Sequence, residues 1–236
     1  MSLRREPWTP GPRLTAKRTA THVLGPRLYG GRRTLAWRLW AKVAYDGTDF
    51  SGFQVQARER TVQGEIERAL EAVTGAATRV IGAGRTDRGV HAQGQVIRFT
   101  VEWRHALSDL HRALNAVLGA DVAILELGQA PDGFHPRFSA IKRTYRYTLL
   151  TQPWRSPLDR RTAWHVTQQL DMDGMAQASQ CLVGTHDFAA FGRPPQGDNT
   201  VRTVSQAEWQ LLPPFLTFDI EANAFLYRMV RSIVGM

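Results

Sequence analysis

One carboxylate, Asp87, stands in the glycine-rich stretch GAGRTDRGVHAQGQV, which runs from Gly82 to Val96. Four glycines (Gly82, Gly84, Gly89 and Gly94) mark sharp backbone turns or the close approach of a ligand. An apolar run, Thr78 to Ile81, leads in, and a strand-like run, Gln95 to Val101, leads out. The acid is therefore expected at a tight crossing between two strands. Arg85 and Arg88 bracket it and are expected to lower its pKa and keep it ionised. An ionised carboxylate on a rigid loop can act as nucleophile, general base or electrostatic anchor. The same three residues equally suit an Asp–Arg pair that ties a turn. The stretch is not a nucleotide loop: it lacks the G-x-x-x-x-G-K-[ST] order and has no third glycine at the dinucleotide spacing.

Other polar groups cluster downstream. Arg137, Lys142, Arg143 and Arg146 form one basic group, and Arg155, Arg160 and Arg161 a second. Each suits either an anion-binding surface or a solvated face. The seven histidines (22, 91, 105, 111, 135, 165 and 186) are scattered without paired ligand spacing, so no metal is expected.

The elements that must position these groups follow from periodicity. Trp37 to Tyr45 alternates as a strand, and Asp46 to Gln56 is a polar, glycine-bearing loop with aromatic residues. Thr61 caps a helix to Val73, in which Ile66, Leu70 and Val73 share a face and Gly75 ends the run. After the Asp87 loop and its outgoing strand, Leu107 to Leu118 is a second helix closed by Gly119, and Val122 to Leu127 a strand. The order then repeats: a strand from Thr144 to Leu150, a helix from Asp171 to Leu182 ending at Gly184, strands from Arg202 to Leu212 and from Phe215 to Ala222, and a helix from Ala224 to Val234 ending at Gly235. This predicts an α+β fold of two similar halves, each an antiparallel sheet with helices on one face. The sheets are expected to join edge to edge around a cleft, residues 37–138 forming the first half and 139–236 the second. Ligand clefts commonly form at such junctions.

Composition bounds the class. Apolar residues make up 43% of 236, enough for a real core, and no apolar run is long enough to span a bilayer. A single cysteine, Cys181, excludes an internal disulfide and fits a reducing, cytoplasmic compartment. The net charge of +9 is uneven, with +8 in residues 1–40 and +1 in the remainder. Residues 1–36 hold Pro7, Pro10, Pro12 and Pro26 with little apolar periodicity, and read as a disordered basic extension. It lacks the apolar centre of a secretory signal. It suits either an arm that attracts RNA phosphate or a mis-assigned start.

The Asp87 stretch resembles the active-site motif of the tRNA pseudouridine synthase A family. Four further stretches are similar to that family in the same order: YDGTDFSGFQVQ (Tyr45 to Gln56), DGFHPRFSA (Asp132 to Ala140), KRTYRYTLL (Lys142 to Leu150) and NAFLYRMVRSIVG (Asn223 to Gly235). The resemblance covers residues 39–236. It implies the pseudouridine synthase fold and an isomerase that converts uridine to pseudouridine at positions 38, 39 and 40 of the tRNA anticodon stem-loop, acting as a homodimer without cofactor. It assigns the essential carboxylate to Asp87, the arginine paired with it to Arg231, and an active-site tyrosine to Tyr145. Arg85 matches the arginine that helps push out the target base. Tyr45, Asp46, Phe53 and Gln54 fall in a loop reaching over the RNA, with Phe53 where the family usually has Trp. Arg88, His91, Phe134, His135, Arg137 and Arg143 are the remaining substrate-binding candidates, Arg137 as a phosphate contact. Similar proteins continue beyond the last helix with a segment that includes a core strand. The resemblance thus implies a truncated second half, marginal stability, and weak or absent activity for a chain ending at Met236.

Two other readings stand beside this one. Sheets bearing Tyr145, Tyr147 and Phe99 suit a non-catalytic RNA-binding module that stacks bases, although no aromatic RNP consensus is present. An acid–base hydrolase would need a second carboxylate at a partner spacing, and the sequence shows none.

Overall fold

The computed structural model describes residues 35–236. The first strand, β1 (Leu35–Tyr45), begins two residues before its expected start at Trp37, and so takes in the last two residues of the expected basic extension. The rest of that extension, residues 1–34, lies outside the described residues.

The first half is built on period-two burial. Leu39, Ala41, Val43 and Tyr45 of β1 face inward, as do Ile97, Phe99 and Val101 of β3 (Ala92–Trp103) and Val122 and Ile124 of β4 (Val122–Gln129). With the short β2 (Ile81–Gly82) they form an antiparallel sheet in the order β2-β3-β1-β4. Two amphipathic helices, α1 (Val62–Thr74) and α2 (Leu107–Val117), contribute Ile66, Leu70, Leu110 and Leu114 to the same core. Each such fully buried side chain contributes about 1.5–3 kcal/mol relative to exposure. Helix α1 starts where the sequence predicts: the Thr61 hydroxyl accepts from the Gly64 amide, and Gly75 closes the helix in the left-handed conformation. Its other free amides are used to hold a loop. Val62 N–H donates to the Gly52 carbonyl and Gln63 N–H to that of Phe53.

The second half is a five-stranded sheet in the order β6-β5-β9-β8-β7. It comprises β5 (Arg143–Leu150), β6 (Trp164–His165), β7 (Gly184–Asp187), β8 (Val201–Leu212) and β9 (Phe215–Ala222). All pairings are antiparallel except that of β5 with β6. Phe218, Ile220 and Ala222 form the buried row, covered by Leu226 and Met229 and by partly buried Tyr145, Tyr147 and Trp209. Helix α3 (Met172–Gln180) packs against β8, where Trp209 Nε1 donates to the Ser179 hydroxyl. Gly184 opens β7 instead of ending α3.

One element departs clearly from expectation. The final helix, expected from Ala224, is α4 (Met229–Val234) only. Residues 224–228 are held otherwise: Tyr227 N–H donates to the Arg193 carbonyl in an isolated bridge, and Arg228 takes a left-handed conformation (φ 63°) before the helix starts. The apolar spacing of Phe225, Met229 and Ile233 is that of a buried segment, only the latter part of which is helical.

No strand of one sheet pairs with a strand of the other among the described residues. The halves meet through side chains.

Candidate active site

The loop after β2 carries Asp87, and its backbone is pinned throughout. Ala83 N–H donates to the Val96 carbonyl (2.8 Å), and Gln95 Nε2 to the Gly84 carbonyl (2.9 Å). Thr86, beside the acid, is held twice: its hydroxyl shares a 2.8 Å hydrogen bond with Tyr45 Oη, and its carbonyl accepts from Phe53 N–H (3.0 Å). Val90 N–H then closes a turn onto the Asp87 carbonyl, and Gly47 lies so close that an added Cβ would meet the Val90 carbonyl oxygen.

Three bonds tie this loop to the second half, and all use backbone carbonyls. Arg143 Nη2 donates to the Ala83 carbonyl (3.1 Å). Arg231 Nη2 donates to the Arg88 carbonyl (3.3 Å). His91 Nε2 meets the Arg161 carbonyl (2.7 Å), which fixes it as the protonated ring nitrogen. Arg161 also places its charge 3.7 Å from Asp46 and 3.6 Å from Asp49.

The Asp87 carboxylate itself makes no hydrogen bond or ion pair with another described residue. Burial pushes its pKa above the usual aspartate value, and the nearby charges of Arg231 and Arg228 pull it back. This corrects two expectations. The flanking Arg85 and Arg88 do not depress the pKa, because their side chains point into solvent. Arg231 does not fork onto the carboxylate; it grips the loop at Arg88 and acts on Asp87 through its field. Arg228 was not foreseen, and its position three residues before Arg231 was the available signal.

Tyr145 is brought to the same place from β5. Burial pushes its phenol pKa up, the Arg143 cation opposes this, and the Asp87 charge adds to it. The ring packs edge-on against Phe225 at 4.9 Å. A neutral phenol beside a poised carboxylate results.

The residues expected to meet RNA divide sharply. Tyr45 and Phe53 are core residues, 4% and 3% exposed. Burial pushes the Tyr45 pKa up to about 12, and the Phe53 ring fills the space a Cβ at Gly82 would need. Neither offers a face to a ligand. Asp46 is engaged internally: it accepts from the Thr48 amide and hydroxyl, which hold its pKa low, and lies 3.0 Å from His91 Nδ1. The same nitrogen faces the Gly47 amide, so His91 joins the 46–48 turn to the loop. Arg143 is half-buried and has both terminal nitrogens on backbone carbonyls, three in all, so most of its fork is already engaged within the protein. Phe134 is half-buried, its carbonyl accepting from Arg98. His135 stacks at 4.4 Å on Phe138, which is 77% exposed beneath the Arg137 guanidinium. Gln54, Arg85, Arg88 and Arg137 remain exposed. Of the other basic residues, Lys142 pairs with Glu221 and Arg146 forks onto Asp219.

Comparison with known proteins decides the family. A family model described as tRNA pseudouridine synthase matches residues 41–139 and 178–236. The chain belongs to the tRNA pseudouridine synthase family. It is 44% identical over 198 residues to the tRNA pseudouridine synthase A of Roseiflexus castenholzii, covering 82% of this chain and 73% of that protein. The Halalkalibacterium halodurans enzyme of the same name is 42% identical over 200 residues (84% and 76%), and that of Brevibacillus brevis 43% over 206 (84% and 82%). In this synthase the segments that meet around Asp87 fall within the matched ranges, apart from those of Arg143, Tyr145 and Arg161. Among the described residues no group of three or more His, Cys, Asp or Glu side chains is arranged to hold a metal, and no helix is long and apolar enough to cross a membrane.

Proposed function

We propose that this tRNA pseudouridine synthase isomerises uridine to pseudouridine at positions 38, 39 and 40 of the tRNA anticodon stem-loop, with Asp87 as the essential carboxylate. The observation that carries the reading is a pinned loop presenting one unpaired carboxylate beside two cations and a neutral tyrosine from the other half. The reaction breaks the base–ribose bond, turns the base and rejoins C1′ to C5. It needs an ionised acid at the nucleotide, a surface to hold the free base and removal of the C5 proton. Asp87 supplies the charge, and the rigid backbone around Thr86 supplies its aim. Tyr145 offers a ring to the uracil and a phenol within the field of Asp87. Arg85, exposed and unpaired, is free to enter the base stack of an extruded nucleotide, which repays part of an extrusion cost of a few kcal/mol. Arg137 and Arg88 face solvent as phosphate contacts. Residues 37–138 and 139–236 act as two halves, with the site between them, in a cytoplasmic homodimer.

The test is position mapping. Unmodified tRNA transcripts carrying uridine at 38, 39 or 40 are incubated with the protein, and pseudouridine is located by nucleoside-specific chemical labelling. Conversion confined to those positions is expected; conversion elsewhere refutes the site assignment.

A further inference from the structure

Arg143 opens β5, two residues before Tyr145, so both side chains leave the same face of the strand. It pairs in register with Ala222 at the end of β9. Its guanidinium reaches three backbone carbonyls: Nη1 donates to Asn223 (2.7 Å), and Nη2 to Ala83 (3.1 Å) and Arg137 (3.0 Å). These belong to three separate segments: the catalytic loop, the connection between β4 and β5, and the chain leaving β9. Each lies where a strand has ended or not yet begun, so ladder bonding cannot serve it. A planar group with fixed donors spread over two nitrogens suits such a task, whereas an ammonium gathers its three donors on a single atom and lacks the fork. The Ala83 peptide is thereby held from both sides, by β3 through its N–H and by β5 through its carbonyl.

We propose that Arg143 is a positioning residue of this synthase: through the carbonyls of Ala83, Arg137 and Asn223 it sets the loop carrying Asp87 against the strand carrying Tyr145, and it makes no contact with tRNA phosphate. The inference rests on Asp87 and Tyr145 as the working pair. Arg143 is half-buried, and its charge falls on Tyr145 rather than on Asp87.

The test uses the full chain with Arg143→Met, Arg143→Lys and, in parallel, Asp87→Asn. Single-turnover conversion of saturating tRNA, tRNA affinity against salt, the pH–rate profile and the melting temperature are measured for each. A misplaced reacting group of this kind costs on the order of 10²-fold, so Arg143→Met should lose about that much rate. Its tRNA affinity and salt slope should stay at the wild-type values, as should its acid limb. Millimolar guanidinium should restore part of the loss, and Arg143→Lys should remain well below wild type. Three results overturn the proposal: an unchanged rate, full activity in Arg143→Lys, or weaker binding with a salt slope lowered by about one at an intact saturating rate, the mark of a lost phosphate contact. If Arg143→Met does not fold, Arg143→Lys decides the matter, since a folded lysine variant with wild-type rate is incompatible with positioning. An active Asp87→Asn would instead refute the functional reading, whatever the Arg143 variants do.

Discussion

Asp87 sits where burial and two arginines pull its proton affinity in opposite directions, and burial prevails. In the proposed reaction Asp87 works in its ionised form, so activity should fall on the acid side with a midpoint above the ordinary aspartate value. Removing the Arg231 charge should move that midpoint further up. For Arg231→Gln we expect the acid limb of the pH–rate profile to shift to higher pH; an unmoved limb would show that Arg231 acts only through its bond to Arg88. The effect on stability has the opposite sign to that of most aspartates. The folded pKa lies above the unfolded one, so the folded state gains from the protonated acid below the unfolded pKa and loses that gain as pH rises through the folded pKa. At neutral pH Asp87 is therefore a burden on the fold, a trade between stability and function that active sites commonly show. The sequence showed where the acid was but not its surroundings. Adjacent arginines look like its partners, whereas the cations that reach it lie some 140 residues on, in a segment whose turn at Arg228 no periodicity reveals.

At the scale of elements, the loop is only as precise as the pieces leaning on it. Helix α1 anchors Gly52 and Phe53, Phe53 anchors Thr86, and the bare backbone of Gly47 lies directly on that of Val90. A methyl group at Gly47 would meet the Val90 carbonyl oxygen, a backbone atom that cannot swing aside. Gly47→Ala should lower stability by about 1–3 kcal/mol, the usual cost of overpacking, and reduce the single-turnover rate. Thermal melts and tRNA conversion check this; wild-type values for both would refute the close packing. The regular elements were legible because burial follows period two in the strands and a shared face in α1 and α2. The capping of α1 by Thr61 and Gly75 was legible for the same local reason. Residues 224–228 were not, since their apolar spacing fits a helix but their bonding goes to Arg193. The burial of Phe53 and Tyr45 was not legible either, because a polar, glycine-rich motif surrounds them while their own rings complete the first core.

Among the described residues the two sheets meet without a shared ladder, and the carbonyls of Ala83, Arg88 and Arg161 carry bonds across the junction. The layout in two halves was legible from the repeated order of elements. The junction was not, since side chain to carbonyl bonds leave no pattern in a sequence. Charge is a property of the whole chain as well. Residues 35–236 are nearly neutral, and residues 1–36 carry +7. Binding driven by that segment would release counterions in proportion to the phosphates it neutralises. Removing residues 1–34 should therefore weaken tRNA binding modestly and flatten its salt dependence, with the saturating rate unchanged. Filter binding across a salt series measures this; an unaltered slope would show that the segment meets no phosphate.

Whether Asp87 is the essential carboxylate of a pseudouridine-forming site is measured most directly by comparing wild type with Asp87→Asn on unmodified tRNA. The amide keeps the shape, cannot act as nucleophile or base, and removes a charge that burial disfavours. We expect tRNA binding at wild-type strength, a melting temperature at or above that of wild type, and a rate of pseudouridine formation lower by at least about 10²-fold. A rate for Asp87→Asn within about tenfold of wild type, smaller than the loss of a general base produces, would contradict that role for Asp87.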